Sequence, residues 1–115
     1  MALLRVGVLP DEALAAAAEF HGVVLPRVLA EAEGGETLTL LFAPADHRHR
    51  GWRLAAVQNL ARRYAPVRVN ALASDDEGAI AAALRYLAAA DGVTGQYLPL
   101  DGNGAEALLS QADDQ

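Results

Sequence analysis

The sequence of 115 residues predicts an α/β fold: about four parallel strands in one sheet, with three main helices in layers around it. Three observations predict it. Short apolar runs recur at Leu3–Leu9, Thr37–Phe42, Val67–Leu72 and Gln96–Leu100, each closed by proline, glycine or a polar turn. Between them lie longer stretches with apolar residues at three- and four-residue steps. Strict alternation of the two patterns implies parallel strands joined by right-handed helical crossovers.

The elements follow in order. Leu3–Leu9 lacks polar alternation, which predicts a strand buried on both faces. Asp11 is placed to cap the next helix, with Glu12 in its first turn. From Asp11 to Glu33 the helical stripe is Leu14, Ala17, Ala18, His21, Leu25, Val28 and Leu29. Gly22 and Pro26 predict a kink, or two helices meeting near Gly22. Gly34-Gly35 ends the helix. Thr37–Phe42 is the second strand, stopped by Pro44, and Asp46 to Arg50 is a polar linker. Gly51–Tyr64 is a second amphipathic helix, with Trp52, Ala55, Ala56, Leu60 and Tyr64 on one face. Pro66 ends it, and Val67–Leu72 is the third strand. Ser74 or Asp75 caps a third helix running to about Ala90, with Ile80, Ala83, Leu84 and Leu87 inward. Asp91-Gly92 turns the chain into the fourth strand, Gln96–Leu100. Residues 1–104 read as one domain and residues 105–115 as an acidic tail.

Composition limits the function classes. A net charge of −6 argues against nucleic acid, which needs clustered lysine and arginine. Five of the nine basic residues fall between Arg48 and Arg63, and every basic residue is arginine. With no cysteine there is no disulfide, thiolate metal site or cysteine nucleophile. The N-terminus lacks the features of a secretory signal, and charges interrupt every apolar run, so the reading is no membrane span and a cytoplasmic location.

Asp46-His47-Arg48-His49-Arg50 is the one cluster with ligand-like side chains. Its His-x-His pair with a nearby aspartate has zinc-ligand types, but the arginines oppose a cation. The plainer reading is a solvated loop entering a helix, with an anion at the helix start as the alternative. Glu19 reads as a helix-surface residue or a catalytic carboxylate. His21 and Trp52 read as core or interface side chains. Asp75, Asp76 and Glu77 read as ordinary helix capping.

Three strings in register carry a resemblance. Val93-Thr94-Gly95-Gln96-Tyr97-Leu98-Pro99-Leu100-Asp101-Gly102 resembles the last strand of short-chain dehydrogenases. Leu60-Ala61-Arg62-Arg63-Tyr64-Ala65-Pro66, followed by Arg68-Val69-Asn70-Ala71, is similar to the end of that family's catalytic helix and its next strand. Phe20-His21-Gly22-Val23, with Leu25-Pro26 and Leu29, resembles the long helix before its fifth strand. The resemblance implies the C-terminal half of a Rossmann fold, entered at the family's fourth strand.

It also implies a reaction that these residues do not match. The family binds its dinucleotide on a glycine-rich turn, whereas here Gly7 is a lone glycine followed by Pro10-Asp11. The family's helix asparagine falls on Glu19. Its serine falls within Phe42-Ala43-Pro44-Ala45, and its Tyr-x-x-x-Lys pair near Asp46 and Arg50. The expectation is therefore no cofactor, no metal and no dehydrogenase activity. The family dimerises by packing its long and catalytic helices against a neighbour's. That implies a non-catalytic module that forms a homodimer or joins a full-length short-chain dehydrogenase relative as a structural or regulatory subunit. Leu14, His21, Leu25, Trp52, Ala56, Leu60 and Tyr64 are the candidate interface. The alternative is a ligand-binding protein or repurposed enzyme using the strand carboxyl ends, with Glu19, Asp46, His47 and Arg50 as candidates.

Overall fold

The computed structural model describes residues 1–100. Four strands, β1 (Ala2–Gly7), β2 (Leu38–Phe42), β3 (Val69–Ala73) and β4 (Tyr97–Pro99), form one parallel sheet in the order β1-β2-β3-β4. The helices are α1 (Ala13–Glu19), α2 (Leu25–Ala32), α3 (Arg50–Tyr64) and α4 (Glu77–Ala89). A π-turn, Phe20–Val24, joins α1 to α2, so the two form one continuous helix, Ala13–Ala32. This is the predicted α/β layout of four strands and three main helices. The Asp101–Gly104 loop and the tail from residue 105 lie outside the described residues.

The sheet separates two cores. Leu38, Leu40 and Phe42 of β2, with Val69, Ala71 and Ala73 of β3, meet the Ala13–Ala32 helix and α3 on one face. Leu41 and Leu72 point the other way and meet Ile80, Ala83 and Leu87 of α4. β2 and β3 are thus buried on both faces, which is why they read as unbroken apolar runs. β1 is different. Leu4 and Val6 are buried under the long helix, but Leu3 and Arg5 are exposed on the α4 side. The expected burial of β1 on both faces is corrected here, because α4 packs over β2 and β3. β1 pairs only with β2 and is an edge of the sheet, where the Arg27 guanidinium donates to the Arg5 carbonyl at 3.3 Å.

The long helix turns a different side inward than its apolar stripe predicts. Ala16, Phe20, Val24, Val28 and Ala32 are buried, whereas Leu14 is 80% exposed and His21 is exposed. Inward positions four residues apart drift by about 40° per step on a regular α-helix, or roughly 160° over this length. The π-turn adds one residue and takes back about 100° of that drift. It therefore replaces the expected kink at Gly22 and keeps one side on the sheet. Glu12, not Asp11, caps the helix, its carboxylate accepting from Leu14 and Ala15 N–H at 2.7 and 3.1 Å. The same helix is long and apolar enough, by length and composition alone, to cross a membrane. That corrects the expectation of no such window, although its inner side here forms part of the core.

At α4 the cap is Asp76, accepting from Ala79 N–H at 3.0 Å, while Ser74 accepts from Asp76 N–H at 3.0 Å. Arg68 Nη1 donates to the last carbonyls of that helix, Leu87 and Ala90, at 2.9 and 2.8 Å. Asn70, in the middle of β3, holds the turn into β4. Its Nδ2 donates to the Val93 carbonyl and its Oδ1 accepts from Gln96 N–H, both at 3.0 Å. Gly95 completes this turn at φ +74°, where a side chain would be strained.

Three outcomes test this fold. Asn70→Ala leaves the Val93 carbonyl and Gln96 amide without their partner and should cost about 2–3 kcal/mol in denaturant unfolding. Gly22→Ala has open space around the added methyl and should stabilise by about 0.5–1 kcal/mol. Deleting Gly22 removes the extra residue of the π-turn and should destabilise by more than about 3 kcal/mol.

Candidate functional site: a buried arginine at the strand ends

α3 directs Arg53, Ala56, Val57, Leu60 and Ala61 inward. Four of these are apolar and one is a cation. Arg53 is only 4% exposed, beneath the carboxyl ends of the strands. Its Nη1 donates to the Ala43 carbonyl at 2.9 Å and to the Tyr97 hydroxyl at 3.1 Å. The guanidinium carbon lies 4.5 Å from the Phe42 ring centroid, with Trp52 and Tyr97 at 5.7 and 5.9 Å. Aromatic faces attract a cation but do not neutralise it. The Nε–H is buried with no hydrogen-bond partner, and no carboxylate pairs with Arg53 among the described residues. Arginine keeps its charge in proteins, so this is a buried cation without a counterion.

Beside it, His49 is also 4% exposed. Trp52 Nε1–H donates to His49 Nδ1 at 3.1 Å, and His49 Nε2 lies 2.8 Å from the Asp11 carbonyl. An indole nitrogen only donates and a carbonyl only accepts, so the imidazole carries its proton on Nε2 and is neutral in this arrangement. Between β1, β2 and the start of α3 lies a cavity of about 140 Å³, lined by Gly7, Leu9, Pro10, Ala45, His49 and Arg53 among others.

Of the polar residues singled out from the sequence, His49 lines this cavity, whereas Glu19, Asp46, His47 and Arg50 do not. Asp46 is exposed and caps the short turn His47–His49, accepting from Arg48 N–H at 3.0 Å. The Arg48 side chain grips the same carboxylate, with Nε at 3.0 and 3.1 Å and Nη2 at 2.7 Å. These bonds hold the Asp46 carboxyl well below the usual carboxylate range and push the Arg48 guanidinium up. His47 and Arg50 are exposed. Glu19 is exposed on α1 and makes no hydrogen bond or ion pair among the described residues. The two histidines of His-x-His are split between solvent and core, and no three His, Asp or Glu side chains converge on a metal-sized site among the described residues.

A second concave feature runs between the long helix and α3. His21, Leu25, Leu29, Ala56, Leu60 and Arg63 line a groove of about 220 Å³. His21 Nδ1–H donates to the Ala17 carbonyl at 2.7 Å. Of the other candidate interface residues, Trp52 is half-buried among Phe20, Phe42 and His49. Tyr64 is half-buried and donates to Glu33 at 3.3 Å, while Leu14 projects into solvent near the start of α1.

A family model described as short chain dehydrogenase-like protein matches residues 4–100 of this chain. The chain belongs to that family. Comparisons with curated proteins and with solved structures returned no match. Within the short chain dehydrogenase-like chain, β2 ends in Phe42-Ala43-Pro44-Ala45, which brings no hydroxyl to the strand ends, and α3 begins with arginines where the resemblance puts a lysine. Arg53 is the residue that sequence reasoning passed over. The available signal was its place in the stripe shared with Val57, Leu60 and Ala61, where a charge interrupts an apolar side.

Tyr97→Phe removes an acceptor from a buried charged donor. It should cost about 1.5–3 kcal/mol of stability by denaturant unfolding, and a smaller loss in that measurement would show that Arg53 does not depend on the phenol.

Proposed function

We propose that this chain is a non-catalytic short chain dehydrogenase-like module that self-associates through its two-helix face. The groove between the Ala13–Ala32 helix and α3 carries the reading, because it leaves Leu25 and Leu29 half-exposed beside Ala56 and Leu60. The small residues Ala17, Ala18, Ala55 and Ala56 allow a second pair of helices to approach closely. In a two-fold contact the same patch serves both copies, so one apolar groove covers another. The resemblance adds support, since the family dimerises through the corresponding pair of helices.

The strand-end residues support the lack of catalysis. The family's hydride transfer uses a tyrosine acid whose proton a neighbouring lysine makes labile. Asp46, near the tyrosine position, is held ionised by Arg48 and has no proton to donate near neutral pH. The chain contains no lysine.

Sedimentation of the purified chain should give twice the mass of one chain at micromolar concentration. Leu25→Asp places a charge at a half-exposed position of the groove, and should weaken association at least tenfold while the far-ultraviolet circular dichroism of the fold is retained. A chain that stays monomeric at several hundred micromolar would sink self-association, and recovery in fixed ratio with a full-length relative would replace the second copy with that partner. Nicotinamide-dependent turnover of any carbonyl substrate by the purified chain would overturn the non-catalytic reading.

A further inference from the structure

We propose that the strand-end cavity beside Arg53 is a binding site for a small carboxylate. The observation is the state of the guanidinium. Nη1 is occupied by the Ala43 carbonyl and the Tyr97 hydroxyl. Nη2 makes no hydrogen bond among the described residues, and Nε–H is buried without a partner. These two nitrogens project hydrogens from the same edge of the planar group, the fork that accepts the two oxygens of a carboxylate; Nε is closed to solvent, so the ligand must shift the cavity wall to engage it. One edge of the cation is thus used to fix its position, and the other is unmatched.

The surroundings select the charge and the size. Arg53 lies in the first two turns of α3, where the helix dipole adds positive potential. No acidic residue stands in the first turn to offset it. Asp11 borders the cavity, but its carboxylate is almost fully exposed and faces Arg48 at 3.8 Å. His49 contributes a neutral ring whose two nitrogens are both engaged, so it adds a wall and no charge. The cavity volume of about 140 Å³ admits formate, acetate or a similar short acid. One fork balances one negative charge, so a monoanion is favoured over phosphate, whose second charge would be buried without a match.

Trp52 is the chain's one tryptophan, and the Arg53 guanidinium lies 5.7 Å from its ring, so its fluorescence reports on the site. The full chain is titrated with sodium acetate, inorganic phosphate and sodium chloride at matched ionic strength. Acetate should give a saturable change with a midpoint of about 1 mM, the order expected for a ligand of four heavy atoms held by a charged fork. Phosphate should bind at least tenfold more weakly, and chloride should give no saturable change. Arg53→Met should abolish the acetate response, and Arg53→Lys, which keeps the charge but not the fork, should weaken it at least tenfold. Ala45→Leu fills the cavity from an exposed wall position and leaves Arg53 in place, so it carries the test if Arg53→Met does not fold; it too should abolish the response. No saturable acetate response, an equal response to chloride, or a response that survives Ala45→Leu overturns the proposal. Leu25→Asp should leave the acetate midpoint unchanged, so this outcome is independent of self-association.

Discussion

The buried amide of Asn70 is the constraint on which the described architecture most depends. Asparagine is poorly suited to the middle of a strand, and Asn70 is almost fully buried there. Its two hydrogen bonds clamp the turn from Val93 to Gln96 against β3, and Gly95 and Thr94 add backbone bonds to Val69. The clamp sets the register in which Tyr97 pairs with Ala71. Register decides which side of the sheet the Tyr97 ring occupies, since a slip of one residue would turn it to the α4 side. In the observed register the ring reaches Phe42 and its hydroxyl reaches Arg53. A polar contact on one side of the sheet thus positions the cation on the other.

That cation carries the buried side-chain nitrogen left without a partner among the described residues. A buried charge usually persists because it is paired, and an unpaired one is costly. Here three aromatic rings, a carbonyl and a phenol hold the guanidinium without neutralising it. The chain as a whole is acidic, with fifteen aspartates and glutamates against nine arginines. Overall acidity therefore says little about local potential. The arginines gather at the start of α3, where the helix dipole has the same sign, and the acids nearby, Asp46 and Asp11, both face Arg48. The strain is electrostatic and local, and an incoming anion is the group that relieves it.

Much of this fold was legible in the sequence, for a physical reason. β2 and β3 are covered on both faces, and continuous apolar runs between helical stripes report that directly. The side of the long helix that faces the sheet was not legible. Apolar periodicity assumes 3.6 residues per turn, and the π-turn at Phe20–Val24 breaks that assumption without a proline or glycine pattern that distinguishes it from a kink. Leu14 and His21 consequently lie outside while Ala16 and Phe20 lie inside. β1 misled for another reason: Leu3 is apolar, yet the core on that side is built on β2 and β3, and α4 meets β1 through the exposed Glu77–Arg5 ion pair. At the site, the polar cluster from Asp46 to Arg50 drew notice because several ligand types stand together. Arg53 stands alone in the apolar stripe of α3, a single charge that gives a weaker signal than a cluster, and its burial shows that the charge matters.

The groove and the cavity share α3, which raises the question of communication between them. Phe20, His21, Trp52 and His49 form an aromatic chain from one to the other, with ring centroids 5.2, 5.5 and 6.3 Å apart along the steps His21–Phe20, Phe20–Trp52 and Trp52–His49. Contact alone does not transmit a signal; coupling needs an element with two discrete arrangements that both sites bias. Phe20 is fully buried against Phe42, Trp52 is tied to His49, and His49 is tied to Asp11. A side chain fixed at both ends offers no second arrangement for a ligand to select. The aromatic chain acts as a wall that keeps the two surfaces apart, and an anion at Arg53 would complete the charge balance at the strand ends without altering the helix face.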